Sequence, residues 1–291
     1  MAACAGVPQV DEPVAPSEPE AETAPPRIAL VLGGGAAKGF AHIGVIKALE
    51  ANGVEPDIIV GSSAGSVVGA LYAAGYNAFD LQRIALTMDE TTVRDWVLPN
   101  RGFIRGESLQ KFVNEAVQNR PIEQLNRKLA VVATDLQTGD PKVFETGNTG
   151  LAVRASSSVP GVFQPVKIGS REYVDGGLVS PVPVRTARSI GADIVIAVDI
   201  SDKPQMSRLR DTFDVLLQTF TIMGRVIAAE ELTDADVVIK PDISNLSSTT
   251  FESRNYAIIE GERAGFSAVI RVQDAIKQFY ENARPRAETG S

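Results

Sequence analysis

The run Ile28-Ala-Leu-Val-Leu32 is apolar at every position and stops at three glycines, which predicts a short strand buried on both faces. Gly33 to Gly39 then reads as a loop. From Phe40 the apolar residues Phe40, Ile43, Ile46 and Leu49 keep a helical spacing, and Asn52-Gly53 closes that helix. Ile58-Ile59-Val60 predicts a second strand, running directly into Gly61-Ser-Ser-Ala-Gly65. The stretch Ala64 to Ala74 predicts a helix stopped by Gly75. In it Gly65 and Gly69 stand four apart, so one face is bare and can lie close to a strand.

Further along, Leu129–Thr134, Ile194–Val198 and Val237–Lys240 predict buried strands. Lys142-Val-Phe144, after the turn Thr138-Gly-Asp140, predicts one arm of a hairpin. Helical patterns fall between them, at Leu109–Gln118, Val184–Ser189, Phe213–Glu231 and Tyr256–Phe279. Strands alternating with helices give an α/β domain around a mainly parallel sheet. Residues 87–106, with Trp96, Pro99 and Gly102, are weakly periodic and are expected to form a surface flap near the site. No internal repeat is visible.

Composition changes the picture at the two ends. Residues 1–26 hold six prolines and five acids with no Lys or Arg before Arg27, so they are expected to be a disordered tether. The expected organisation is the tether over 1–26, one domain over 27–280 and a disordered tail over 281–291. Over the whole chain of 291 residues, 44% hydrophobic and 22% charged residues describe a globular protein, and a net charge of −8 argues against nucleic acid as a partner. No run approaches the roughly 18 apolar residues of a membrane span. One histidine and one cysteine exclude a His/Cys zinc site and an intrachain disulfide. No metal or cofactor is expected, and nothing in the pattern points to a particular oligomeric state.

Two glycine-rich turns carry the candidate chemistry. The loop Gly33–Gly39 fits neither phosphate pattern. A P-loop needs Lys and then Ser/Thr after its last glycine, whereas Lys38 precedes Gly39 and Phe40 follows it. The dinucleotide pattern fails because Lys38 occupies the third glycine position, and Glu55 and Asp57 precede the second strand instead of ending it. The remaining use of free N–H groups at such a turn is to hold an oxyanion. Gly61-Ser-Ser-Ala-Gly65 has the form Gly-x-Ser-x-Gly, which can place Ser63 as a nucleophile on a sharp turn between strand and helix; a small-residue turn is the alternative. Consecutive strands deliver both turns to the carboxyl edge of a parallel sheet, where open α/β sheets bind ligands.

A serine nucleophile needs a base. The sole histidine, His42, precedes Ser63, so the α/β-hydrolase order of nucleophile, acid, histidine is excluded. His42 lies on a strongly apolar helix and is expected to be a packed residue. An aspartate starts about 2.6 pKa units below a histidine, a deficit of roughly 3.5 kcal/mol that burial can recover. Asp175, in Tyr173-Val-Asp-Gly-Gly177, follows a short apolar run and precedes two glycines that admit close backbone approach. A plain hairpin turn is the other reading of that stretch, and Asp135, Asp193 and Asp199 are rival acids near strand ends.

Gly33-Gly-Gly-Ala-Ala-Lys-Gly39 with Ala41-His-Ile-Gly-Val45, then Gly61–Gly65, then Asp175-Gly-Gly177, resembles the bacterial patatin-like phospholipases. Val132-Ala-Thr-Asp135 and Ser157-Ser-Val-Pro-Gly161 resemble the segments between those motifs. The likeness extends over about residues 27–270. It implies a three-layer α/β sandwich and a serine–aspartate dyad of Ser63 and Asp175, with no histidine. It implies an oxyanion hole from the amides of Gly34, Gly35 and Ala36, with Lys38 in the family's basic position and Gly33, Gly39, Gly61, Gly65, Gly176 and Gly177 shaping the turns. Many members carry glycine where this chain has Ala36, which resists positive φ. The implied activity is hydrolysis of phospholipid esters through an acyl-enzyme, at a membrane surface. Transfer of the acyl group to an alcohol, or lipid binding without catalysis, are the alternatives. Finally, Ala2-Ala3-Cys4 before an acidic, proline-rich tether resembles the end of a bacterial lipoprotein signal. That implies lipidation at Cys4 and a cell-envelope location, with Ala5 resembling outer-membrane sorting. An accidental resemblance implies a cytoplasmic enzyme.

Overall fold

A computed structural model describes residues 24–88, 106–201, 212–243, 246 and 253–283. Cys4, most of the expected tether and most of the expected flap lie outside the described residues.

Among the described residues eight strands form one sheet: β1 (Ile28–Leu32), β2 (Ile58–Ser62), β3 (Lys128–Asp135), β4 (Pro141–Phe144), β5 (Val166–Ile168), β6 (Arg171–Val174), β7 (Ile194–Val198) and β8 (Val237–Ile239). Their order is β5-β6-β3-β2-β1-β7-β8, with β4 paired to β3. From β3 to β8 the pairing is parallel, with Leu30 opposite Ile59 on one side and Ile196 on the other. Strands β4, β5 and β6 are antiparallel additions. The apolar runs are explained by burial on both faces, since alternate residues enter two different cores. Leu30, Leu32, Ile59, Leu129 and Ile196 face one; Ala29, Val31, Val60, Ala130 and Val195 face the other.

The helices are α1 (Phe40–Ala51), α2 (Ala64–Ala73), α3 (Ala78–Thr87), α4 (Glu107–Ala116), α5 (Thr149–Ser156), α6 (Val184–Ser189), α7 (Thr212–Glu231) and α8 (Arg254–Ala283). Apolar residues of α1 to α5 and α8 pack into the first core, and those of α6 and α7 into the second, giving three layers. The sequence pattern does not predict α3 and α5. Both are short helices started by asparagine caps, Asn77 accepting from the Asp80 amide at 2.9 Å and Asn148 from the Leu151 amide at 2.7 Å. Two expected boundaries move. Pro26 is buried against the domain, and α8 continues through Ala283, three residues into the expected tail. Among the described residues no helix is long and apolar enough to cross a membrane.

Candidate active site

Strand β2 ends at Ser62 and α2 begins at Ala64, so Ser63 alone makes the turn. It does so at φ 51°, ψ −121°, a conformation strained for a residue with a side chain. Two contacts hold the strain. The Ser63 amide donates to Ser156 Oγ at 2.9 Å, and Ser156 Oγ donates to the Val132 carbonyl of β3 at 2.6 Å. The Ser63 carbonyl accepts from both the amide and the hydroxyl of Ser66 in the first turn of α2. Ser63 is thereby set at the positive end of the α2 dipole.

Asp175 reaches Ser63 by a different route. Strand β6 pairs with Thr134 and Asp135 of β3, beyond the point where β2 leaves that strand at Val132. The turn after β6 then lies against β2, and Gly176 is indispensable there: a Cβ would collide with the Val132 carbonyl and come within 2.7 Å of Ser62 Oγ. Ser63 Oγ donates to Asp175 Oδ2 at 2.6 Å. The other carboxylate oxygen accepts from the Gly177 amide at 2.7 Å, and Thr134 Oγ1 donates to the Asp175 carbonyl at 2.7 Å. Ser63 is 9% and Asp175 6% exposed. Burial pushes the Asp175 carboxyl up to about 6, against the downward pull of its bonds from Ser63 and Gly177. A carboxyl with a pKa of about 6 is mostly ionised at neutral pH, so it can accept a proton from a hydroxyl bonded to it.

The glycine loop stands beside this pair. A Cβ at Gly34 would lie 3.2 Å from the Ser63 Cβ, and one at Gly39 2.9 Å from the Ala64 Cβ. Gly33 packs against the end of β7, and Gly61 against the Ser66 backbone. The expected oxyanion donors need correction. The Gly34 amide donates to the Pro181 carbonyl at 2.9 Å and is occupied. The Lys38 side chain is 1% exposed, and Lys38 is absent from the residues lining the cavity described below. Gly35 and Ala36 make no such amide bond among the described residues, nor does Ala37, which the sequence pattern did not single out. They open the short 3-10 turn Ala36–Gly39, where leading amides have no internal acceptor. Ala36 does adopt positive φ, at 49°.

His42 is fully buried and turned from Ser63 toward the loop: its Nε2 donates to the Gly33 carbonyl at 2.8 Å, while Nδ1 has no partner among the described residues. Burial holds the imidazole down at about 4, although the Gly33 bond and the charge of Asp199 favour the cation. His42 is therefore the packed residue the sequence suggested, clamping the glycine loop. Because its folded pKa lies below the ordinary 6.5, stability is retained above pH 6.5 and lost as the pH falls toward 4, by roughly 3 kcal/mol. Denaturant titrations of His42→Gln between pH 4 and 7 should show that loss largely removed. An unchanged pH dependence would place the titrating group elsewhere.

The rival aspartates are engaged elsewhere. Asp135 caps the Gln137 and Thr138 amides and pairs with Arg171. Asp193 precedes β7, at the opposite edge of the sheet, and accepts from the Arg27 amide. Asp199 ends β7 on the correct edge, but it is bonded to Lys240 and the Ser201 amide. Burial would raise its pKa, yet these bonds outweigh that and hold it below the usual carboxylate range.

A cavity of about 380 Å³ opens over Ser63 and Asp175. Its walls are mostly apolar, with Phe40 and Ile43 of α1, Val67 and Leu71 of α2, Leu81 of α3 and Phe112 of α4. The apolar walls suit an acyl chain better than a sugar or nucleotide. Ser157 also lines it, and its hydroxyl has no hydrogen-bond partner among the described residues.

The comparisons agree with this architecture. A family model described as patatin-like phospholipase matches residues 30–188. An uncharacterized NTE family protein of Mycobacterium tuberculosis (strain H37Rv) is 38% identical over 179 residues, covering 60% of this chain and 49% of that protein. Patatin-like phospholipase domain-containing protein 6 of Mus musculus is 33% identical over 231 residues, covering 76% of this chain and 16% of that protein. The chain thus spans about half the length of the mycobacterial relative and much less of the mouse one. Among solved structures, VipD from Legionella pneumophila shares the fold with a TM-score of 0.59 at 14% identity, over 88% of this chain and 68% of that one. ExoU, in its complex with SpcU from Pseudomonas aeruginosa, has a TM-score of 0.51 at 16% identity, over 87% and 53%.

Proposed function

This chain belongs to the patatin-like phospholipase family, and on that premise we propose that it is a serine-dependent lipid acyl hydrolase using a Ser63–Asp175 dyad. The observation that carries the reading is the 2.6 Å bond from Ser63 Oγ to a buried carboxylate, at the floor of an apolar cavity. Ser63 Oγ attacks the ester carbonyl as its proton passes to Asp175. The oxyanion is held by the amides of Gly35 and Ala36, with the α2 dipole behind Ser63. Asp175 returns the proton to the departing alkoxide and leaves an acyl-Ser63 ester. Asp175 then takes a proton from water, whose oxygen attacks that ester; the bond from the acyl carbon to Ser63 Oγ breaks, the fatty acid leaves, and Asp175 returns the proton to Ser63 Oγ. No step needs a metal or cofactor.

A lipid surface is the proposed meeting place with substrate. The face of α7 that carries Leu217, Phe220 and Gly224 lines the cavity, while Val215, Ile222, Met223 and Val226 on its far side are exposed, Val226 to 68%. The test is incubation with lysophospholipid and with phospholipid vesicles, followed by product analysis. Free fatty acid should appear with the wild-type chain and be absent with Ser63→Ala, and a fluorophosphonate should label Ser63. Acyl groups recovered only on an added alcohol would make the protein a transferase. An unlabelled Ser63 with no released acyl group would sink the enzymatic reading.

A further inference from the structure

We propose that Arg225 of α7 is the residue that recognises the phosphate of the substrate's headgroup, making the site selective for phosphorylated acyl esters over neutral ones. The inference rests on the lipid-hydrolase reading and adds to it a residue that sets headgroup selectivity.

Among the described residues lining the cavity only two carry formal charge, Asp175 and Arg225. Asp175 is committed to Ser63 and Gly177, whereas the Arg225 side chain makes no hydrogen bond or ion pair with any described residue. An exposed arginine ordinarily finds an acid on its own helix or a neighbouring one, as Arg185 does with Glu230 and Asp234. Arg225 instead borders a wall of apolar side chains.

Its position is fixed from two directions. Gly224, the preceding residue, lies on the turn that carries the base: a Cβ there would be 3.5 Å from the Gly177 carbonyl. Seven residues after Gly224, Glu231 accepts from Ser180 Oγ at 2.6 Å, pinning the end of α7 beside Pro181, whose carbonyl holds the Gly34 amide. Between these anchors Arg225 is turned roughly 100° around the helix from Gly224. That places it on the flank between the cavity face and the exposed apolar face.

A glycerophospholipid has its phosphate only a few covalent bonds from the scissile ester. With the carbonyl over Ser63 and the acyl chain in the apolar cavity, the headgroup must leave by the mouth. A guanidinium there offers paired N–H donors matched to phosphate oxygens. On a chain of net charge −8 the general field disfavours an anionic group, so a local cation decides whether it is accepted.

The experiment measures binding, not turnover, on Ser63→Ala with and without Arg225→Gln. The ligands are lysophosphatidylcholine and monoacylglycerol of the same chain length, with inorganic phosphate as a third. Arg225→Gln should weaken lysophosphatidylcholine by about 10- to 100-fold relative to monoacylglycerol. Arg225→Lys, which keeps the charge but not the two-pronged geometry, should recover part of that ratio. A ratio unmoved by Arg225→Gln overturns the proposal. So does displacement of the lipid by sub-millimolar inorganic phosphate, which would make this a free-anion site. Because the background variant does not turn over, failure of hydrolysis in the wild type counts against the proposed function alone, and an unmoved ratio counts against Arg225 alone.

Discussion

Asp175→Asn should lower kcat/KM for ester hydrolysis by about 10² to 10⁴, and Ser63→Ala by about 10⁴ or more, while both proteins stay folded. The asparagine keeps the shape of the side chain and can still accept from Ser63 Oγ. It cannot take the proton, so the loss isolates base catalysis. The same carboxyl sets the pH profile. With its pKa at about 6 it must be ionised to act, so kcat/KM should fall tenfold per unit as the pH drops below about 6, and level off above it. His42, held at about 4 and bonded to Gly33, cannot produce that limb. The stability sign runs the other way. A carboxyl raised from 3.8 to about 6 costs the folded state nothing below pH 3.8, and the cost is fully present above about 6, of order 3 kcal/mol. Asp175→Asn should therefore unfold no more easily than wild type at pH 8. A variant with intact folding and near-wild-type rates would remove Asp175 as the base, and a profile flat between pH 5 and 7 would contradict its pKa.

What could be read from the residues alone follows from how local each feature is. Strands β1, β2, β3 and β7 are apolar runs buried on both faces, so periodicity and length identify them without tertiary information. Gly-x-Ser-x-Gly between a strand and a helix is equally local, and Asp175 was marked by the glycines that its close packing demands. The features that escaped depend on contacts distant in sequence. The Gly34 amide is occupied because Pro181, far downstream, presents its carbonyl there. Ser156 supports the strained turn only because α5 crosses β3, and α5 is too short to show a period. Arg225 is one of many charged residues on a helical pattern, and nothing in sequence distinguishes it from a solvated one. Its meaning arises where Gly224 meets the Gly177 turn.

The second large effect is expected from one added methyl group. Gly65→Ala should reduce hydrolysis by about 100-fold or more and lower stability by about 1–3 kcal/mol. Helix α2 starts so close to β1 that a Cβ at position 65 would collide with the Leu32 carbonyl and lie within 2.8 Å of the Gly33 carbonyl. Both obstacles are backbone, at the end of an interior strand, and neither can rotate away. The first turn of α2 would have to withdraw, taking Ser63 with it, while the glycine loop stays fixed to β7 and to Pro181. The proposed nucleophile and oxyanion donors would separate, and a displacement of about 1 Å is enough for a loss of this size. Gly69→Ala, one turn further along the same bare face, is the control. Its Cβ would meet Ile59 Cγ2 at 3.0 Å, a side-chain methyl that can shift, so it should cost less in both rate and melting temperature. If Gly65→Ala instead kept the wild-type rate, or Gly69→Ala proved the more damaging, α2 would not be seated against β1 as described, and the alignment of Ser63 with Gly35 and Ala36 would need another explanation.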